Sequence, residues 1–325
     1  MREVRVRAIA NEAVGINSFE LVDPHGRDLP AFEAGAHIDV EIPGMPDRSV
    51  RQYSLCNDPR ERMRYVIAVQ REDKGRGGSK AMHQLVLAGD SILVSDPRNH
   101  FPLHEYARRH VLIAGGIGIT PMMAMVERLT TIGADIELHY CARSPERTAF
   151  KERLAGLRDA GRVAFHFDGG DPARGLRLAD VLGPYDPGTH LYHCGPAGLM
   201  QGIAGAAAHW PREAVHSEHF APPSEPRRRE TEEALANDEF RVRLAGSGET
   251  FTVPRGVSIV EVLRGAGIDC ETSCEVGVCG TCRARYLEGT PQHNDYVLSD
   301  EERKEYVIIC CARAISGTLV LDLAR

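Results

Sequence analysis

The amino-acid sequence predicts a multidomain protein of the α/β plus β class. It comprises an N-terminal antiparallel β-barrel, a central doubly wound parallel α/β sheet and a small C-terminal domain organised around cysteines. Three observations carry this reading. Up to about residue 105 the chain holds short β-rich runs without long helices. Beyond that point apolar strands alternate with helical stretches, the signature of a parallel sheet covered by helices. Near the C-terminus "CEVGVCGTC", Cys274 to Cys282, places three of the nine cysteines within one short loop. A chain of 325 residues is long enough for two or three such domains.

In residues 1–105 the runs "VRVRAIA", "HIDVEI", "YVIAVQ" and "SILVSD" are separated by turn signals such as "DPHG" and "AGD". Six or so strands of this kind fit a small closed barrel. Residues 106–222 read strand "HVLIAGG", helix "PMMAMVERLTTIG", strand "DIELHYCAR", helix "AFKERLAGLRDAG", strand "RVAFHFD", helix "RLADVLG", strand "THLYHCGP" and helix "AGLMQGIAGAAAHW". In such sheets ligands bind outside the carboxyl ends of the strands. Residues 223–237, within "APPSEPRRRETEEALAN", mix prolines with charges and read as a solvated linker. Residues 238–325 hold strands "EFRVRLA" and "ETFTVP", a helix near "SIVEVLRGAG", the cysteine loop and a last strand "TLVLDLA".

Composition narrows the function. Hydrophobic residues make up 42% and charged residues 26%, ordinary for a soluble globular protein. A net charge of -7 argues against nucleic acid as the main partner. The opening "MREVRVRAIA" alternates like a strand, unlike a signal peptide. The longest apolar stretch, Val111 to Val126, is shorter than a bilayer span and is interrupted by "GGIG". No membrane partner is expected, and the clustered, odd-numbered cysteines favour a reducing cytoplasm over disulfides. No Ser-His-Asp or paired-carboxylate constellation stands out.

The spacing Cys274-x4-Cys279-x2-Cys282 matches plant-type [2Fe–2S] ligation. Zinc sites more often show two C-x2-C pairs, and structural thiols do not usually cluster this way. A fourth thiolate must come from elsewhere, and "IICCARA" offers Cys310 or Cys311; spacing allows either. Cys270 could compete with Cys274, but the spacing favours Cys274.

Two further stretches suggest anionic cofactors. In "RQYSL", Arg51, Tyr53 and Ser54 could bind a phosphate, lie against a ring system and donate a hydrogen bond. "AVQREDKGRGGSKAMH", from Ala68 and Val69 to His83, contains Gly77-Gly78-Ser79 opening a helix, a ready anion site. Alone, each could equally be an edge of a half-buried strand or a flexible loop. "LIAGGIGITPM" joins strand to helix, and Gly115, Gly116 and Gly118 would let a dinucleotide approach the backbone, although the spacing is not G-x-G-x-x-G.

Taken in order, "RQYS", "GRGGS", "GGIGITP", "CGP", "SEHF" and "ETSCEVGVCGTC", with "CCAR" after 27 intervening residues, resemble the phthalate dioxygenase reductase and vanillate O-demethylase reductase family. The resemblance covers essentially the whole chain. It implies a C-terminal β-grasp plant-type ferredoxin whose cluster is held by Cys274, Cys279, Cys282 and Cys310. It implies FMN held by Arg51, Tyr53, Ser54, Ala68, Val69, Gly77, Gly78 and Ser79, with Phe220 of "SEHF" close by. It also implies a nicotinamide dinucleotide, NADH in preference to NADPH, at Gly115, Gly116, Gly118, Thr120, Arg143, Asp168, Cys194, Gly195 and Pro196. Ser54, Thr120 and Cys194 are then the residues expected where hydride is transferred. Electron counting fits this order, because a hydride carries two electrons, a [2Fe–2S] cluster accepts one, and a flavin can handle both. The implied partner is a Rieske-type terminal oxygenase acting on an aromatic substrate, and the reductase itself is expected to be monomeric. The alternatives are a reductase for a cytochrome P450, or a non-enzymatic iron–sulfur carrier or redox sensor.

Overall fold

In the computed structural model, residues 1–45, 49–75, 77–221, 239–315 and 317–323 are described. The expected linker at 223–237 lies outside them. The chain divides into two compact units, Met1–Glu218 and His219–Arg325.

The first unit begins with an antiparallel sheet. Strand β1 (Arg2–Ala13) buries Val4 and Val6 on one face and pairs with β2 (Ile16–Val22). β3 (His37–Glu41), β4 (Val50–Ser54), β5 (Tyr65–Gln70) and β6 (Ser91–Val94) complete it in the order β4-β3-β6-β1-β2-β5. Helix α1 (Gly78–Leu85) lies between β5 and β6 in the chain. The expected closed barrel is not found. Among the described residues the end strands β4 and β5 share no ladder, only one isolated bridge between Leu55 and Ile67. The physical reason lies just beyond β4. There the chain turns, and the Asn57 side chain accepts the Val66 N–H at 2.9 Å, a bond that a neighbouring strand would otherwise take.

The second sheet is wholly parallel. It is built from β7 (Arg109–Gly115), β8 (Ile136–Ala142), β9 (Val163–Phe167), β10 (Thr189–Cys194) and β11 (Val215–Glu218), in the order β11-β10-β7-β8-β9. Helices α2 (Ile119–Thr131), α3 (Lys151–Asp159), α4 (Leu178–Val181) and α5 (Ala197–Ala206) connect the strands. Strand alternation shows that both faces are covered. Leu112 and Ala114 of β7 pack in a core with Met122, Met123 and Tyr192. Val111 and Ile113, pointing the other way, pack with Leu191, Ile203 and Trp210. Trp210 is 8% exposed, meets Tyr185 edge to face, and donates its Nε1–H to the Gly183 carbonyl at 3.1 Å. The sheet is thus doubly wound, as the sequence predicts. The chain enters at β7 and winds outward in both directions, so the switch point lies between β7 and β10.

At that point backbone meets backbone. A Cβ on Gly118 would stand 2.3 Å from the Cys194 carbonyl oxygen and 2.8 Å from the Gly195 nitrogen. Gly115 is similarly hemmed in by Leu199 and Pro196, whereas Gly116 has positive φ and faces open space. Two of the three glycines read as dinucleotide-facing therefore also permit the strand ends to touch.

In the second unit β12 (Phe240–Leu244), β13 (Thr250–Val253), β14 (Arg283–Glu288), β16 (Tyr306–Ile308) and β18 (Thr318–Asp322) form a mixed sheet ordered β13-β12-β18-β14-β16. Only β12 and β18 run parallel. β15 (Pro291–Gln292) and β17 (Arg313–Ala314) make a separate small ribbon. Helix α6 (Ile259–Gly265) starts at a capping box in which Ser258 and Glu261 exchange hydrogen bonds, and it buries Ile259, Val260 and Leu263.

The Gly118 contact yields a test. Gly118→Ala should overpack the turn and cost about 1–3 kcal/mol of stability. Gly156→Ala, in α3 with nothing within 4 Å of the added Cβ, should be neutral or stabilising. Urea unfolding of the two variants checks the contrast.

Candidate redox site and cysteine centre

The register of the parallel sheet builds one end of the candidate site. Cys194 ends β10 and stands opposite both Ala114 of β7 and Glu218 of β11. Ser54 closes β4, and its hydroxyl donates to Glu218 Oε2 at 3.4 Å. Glu218 therefore links two of the three residues expected at hydride transfer. Within "SEHF" nothing in the sequence marks it out; its signal is its place at the end of a four-residue strand. The residue as a whole is half-buried, but its carboxyl is the enclosed end. Burial pushes that carboxyl from 4.5 to about 8, against a smaller opposing effect of the Ser54 hydrogen bond. Cys194 is 1% exposed, and burial, reinforced by Glu218, holds its thiol well above the usual range. Thr120 is buried at the start of α2, and its hydroxyl donates to the Ile117 carbonyl at 2.9 Å. Its proton is spent inside the turn, so only its lone pairs could face a ligand.

The Arg51 and Gly-Gly-Ser stretches also come together. The Arg51 side chain lies so near α1 that a Cβ on Gly78 would be 2.9 Å from its Nε. A guanidinium beside the first turn of a helix, where N–H groups lack intrahelical acceptors, suits a phosphate. The Ser79 hydroxyl accepts the Glu72 N–H at 3.0 Å. Tyr53 is half-buried, and burial raises its phenol. Ala68 and Val69 are buried in β5, and the Val69 carbonyl is 2.8 Å from His83 Nε2. That contact accounts for His83 without a ligand.

Arg143 and Asp168 sit just past β8 and β9. They are tied through the backbone, with the Gly169 N–H donating to the Arg143 carbonyl at 3.0 Å. Arg143 is exposed, while Asp168 Oδ1 accepts the Gly170 N–H at 2.7 Å and so braces its own turn. Gly195 and Pro196 begin the turn into α5 beside Gly115. Phe220 falls in the second unit and is 45% exposed.

Four thiols converge in the second unit. Cys274 is hydrogen-bonded to Cys279 and Cys310, and Cys282 to Cys310. Hydrogen bonds from Cys274, then Cys282 and Cys311, hold the Cys310 thiol far below its ordinary value. Backbone donors face the sulfurs: Val276 N–H reaches Cys274 Sγ at 3.4 Å, and Gly277 N–H bonds Cys310. Cys311 lies beside this set: its thiol is hydrogen-bonded to Cys310, and its Sγ is also 3.6 Å from the Ile308 carbonyl. Gly277, at φ +79°, could not carry a side chain, since a Cβ would be 2.7 Å from Cys311 Sγ. Cys270 packs against the apolar core of the unit. A set of four close sulfurs met by N–H donors fits a small iron–sulfur cluster. The described residues of the first unit likewise fit an anionic ring cofactor and a dinucleotide.

The Glu218 carboxyl gives a pH test. Between 4.5 and about 8 the folded chain keeps a proton that the unfolded chain has lost, so this residue's contribution to stability falls as pH rises through that window. Glu218→Gln should remove that slope. Melting temperatures of both proteins, taken on either side of the window, should converge at its lower end and separate at its upper end, with the wild type lower.

Two family models match: the oxidoreductase NAD-binding domain over residues 112–205 and the 2Fe-2S iron-sulfur cluster binding domain over residues 242–314. The tert-butanol monooxygenase / tert-amyl alcohol desaturase reductase subunit of Aquincola tertiaricarbonis is 49% identical, covering 98% of this chain and 95% of its own. The phthalate dioxygenase reductase of Burkholderia cepacia is 42% identical, covering 98% and 97%. A solved phthalate dioxygenase reductase, described as a modular structure for electron transfer from pyridine nucleotides to [2Fe-2S], matches 99% of this chain and 98% of its own with a TM-score of 0.72. An intact type IV self-sufficient cytochrome P450 monooxygenase matches 98% of this chain but only 40% of its own, at 37% identity and a TM-score of 0.86. This chain belongs to the phthalate dioxygenase reductase family, the oxidoreductase components of oxygenase systems.

Proposed function

We propose that the protein is the NADH-dependent reductase of a two-component Rieske-type oxygenase, carrying FMN and a [2Fe–2S] cluster. The observation that carries this is the presence, in one chain, of a nicotinamide-type strand end at Gly115 to Thr120 and four converging thiols at Cys274, Cys279, Cys282 and Cys310. Full-length similarity to reductase subunits supports it. A P450 partner is less well supported, because the near-full-length relatives are the reductases of a tert-butanol monooxygenase and a phthalate dioxygenase. A bare iron–sulfur carrier would have no use for the Arg51 and Gly118 geometry. No disulfide joins any of the nine cysteines, which supports a reducing compartment, and among the described residues no helix is long and apolar enough to cross a membrane.

The mixed sheet with α6 supports a β-grasp ferredoxin domain at 238–325. The change from antiparallel to parallel sheet supports dividing the first unit into a flavin domain at 1–105 and a nicotinamide domain at 106–222. Bound flavin would supply the exchange between hydride and single-electron transfer. In this reading Arg51 and the first turn of α1 bind its phosphate, and Tyr53 lies against the ring system. Ser54 supplies a hydroxyl whose proton Glu218 can hold or receive. Cys194 to Pro196 and Gly118 fix the nicotinamide position by locking two strand ends together. Asp168 beside Arg143 disfavours an added 2′-phosphate. Cys274, Cys279, Cys282 and Cys310 hold the cluster, and Cys311 stands outside its ligand set.

Two experiments test this. Cys310→Ser should abolish the visible and EPR signatures of the cluster, while Cys311→Ser should retain them; the reverse outcome overturns the ligand assignment. Steady-state turnover with an artificial acceptor should favour NADH over NADPH by at least about tenfold, equivalent to about 1.4 kcal/mol. Comparable kcat/KM with both nucleotides refutes the preference.

A further inference from the structure

We propose that His104, His190 and His216 form a binding site for one divalent transition-metal ion of the kind imidazole prefers, such as Zn2+ or Cu2+. One ring nitrogen from each lies within 4.8 Å of the other two. Three distant segments supply them: the loop before β7, the start of β10 and the middle of β11.

The sheet explains the convergence. β10 and β11 run parallel with Tyr192 opposite His216. His190, two residues before Tyr192, projects from the same face. His190 Nδ1 and His216 Nε2 are 2.9 Å apart, and their rings are nearly parallel. His104 completes the set, its ring centroid 4.9 Å from that of His190 and 4.7 Å from that of His216. Its backbone is anchored rather than loose. The His104 N–H donates to the Tyr192 hydroxyl at 2.8 Å, and its carbonyl is 3.0 Å from His110 Nε2.

Tetrahedral coordination at about 2.0–2.1 Å places ligand nitrogens about 3.4 Å apart. The His190–His216 pair is already at that scale, so closure falls to the exposed ring of His104. Three imidazoles with one side open to solvent leave a fourth position for water, the pattern of an open site. The competing account is a hydrogen-bonded stack of rings on Tyr192, with no ion.

The test uses the full-length protein as purified, with its bound cofactors. Calorimetric titration with Zn2+ should show one saturable equivalent per chain. His190→Ala and His216→Ala should each abolish it. His104→Ala changes only an exposed loop ring and should weaken it roughly tenfold or more, with the visible spectrum and melting temperature retained. With Cu2+ and the oxidised protein, EPR should show nitrogen superhyperfine structure that is lost in His190→Ala. No saturable zinc equivalent in the wild type, or unchanged affinity in His104→Ala, overturns the proposal.

Discussion

The contact that the first unit depends on is the one between the turn after β7 and the end of β10. Gly118 faces the Cys194 carbonyl at a distance no side chain could share. Two strand ends that would otherwise be held apart by their own side chains are pressed together there. This closes the sheet at its switch point and fixes Cys194 beside Glu218, which in turn receives the Ser54 hydroxyl. A thiol, a carboxyl and a hydroxyl from three strands are thus positioned by a feature that contributes no functional group of its own.

The same sheet face carries chemistry at both ends. Along β10 the period of two sets His190, Tyr192 and Cys194 on one side, and along β11 it sets His216 and Glu218 there. Desolvation acts on both ends in the same sense, towards the uncharged form. It lifts the carboxyl and the thiol at the carboxyl end and lowers the imidazoles at the amino end. Tyr192 lies between, stacked on His216 and anchoring the His104 backbone. One face therefore carries uncharged acids at one end and imidazoles held below their usual range at the other.

What could be read in advance follows from what is local. "LIAGGIGITPM" announces a strand, a turn and a helix because burial on both faces requires an unbroken apolar run, and β7 and α2 stand there. Ligand spacing in "CEVGVCGTC" is local too, and those thiols meet. Barrel closure was not legible, since it turns on whether β5 offers its N–H groups to a strand or to the Asn57 side chain. Nor could spacing choose between Cys310 and Cys311, because the two are adjacent in the chain and their thiols lie side by side. Glu218 was easily passed over, as "VHSE" contains no apolar run to mark a strand. The histidines at 104, 190 and 216 share no spacing motif and meet only through the sheet register.

Trp210, packed between Tyr185 and the helices on one face of the parallel sheet, is the chain's sole tryptophan. Its indole emission therefore reports on the first unit alone, and the second unit is optically silent at that wavelength except through whatever chromophore its thiols hold. Loss of cluster colour with unchanged tryptophan emission would mark the cysteine domain as failing by itself. The opposite order would mark the nicotinamide sheet as the weaker part. A single indole placed in one of two units makes the order of their unfolding readable without any label.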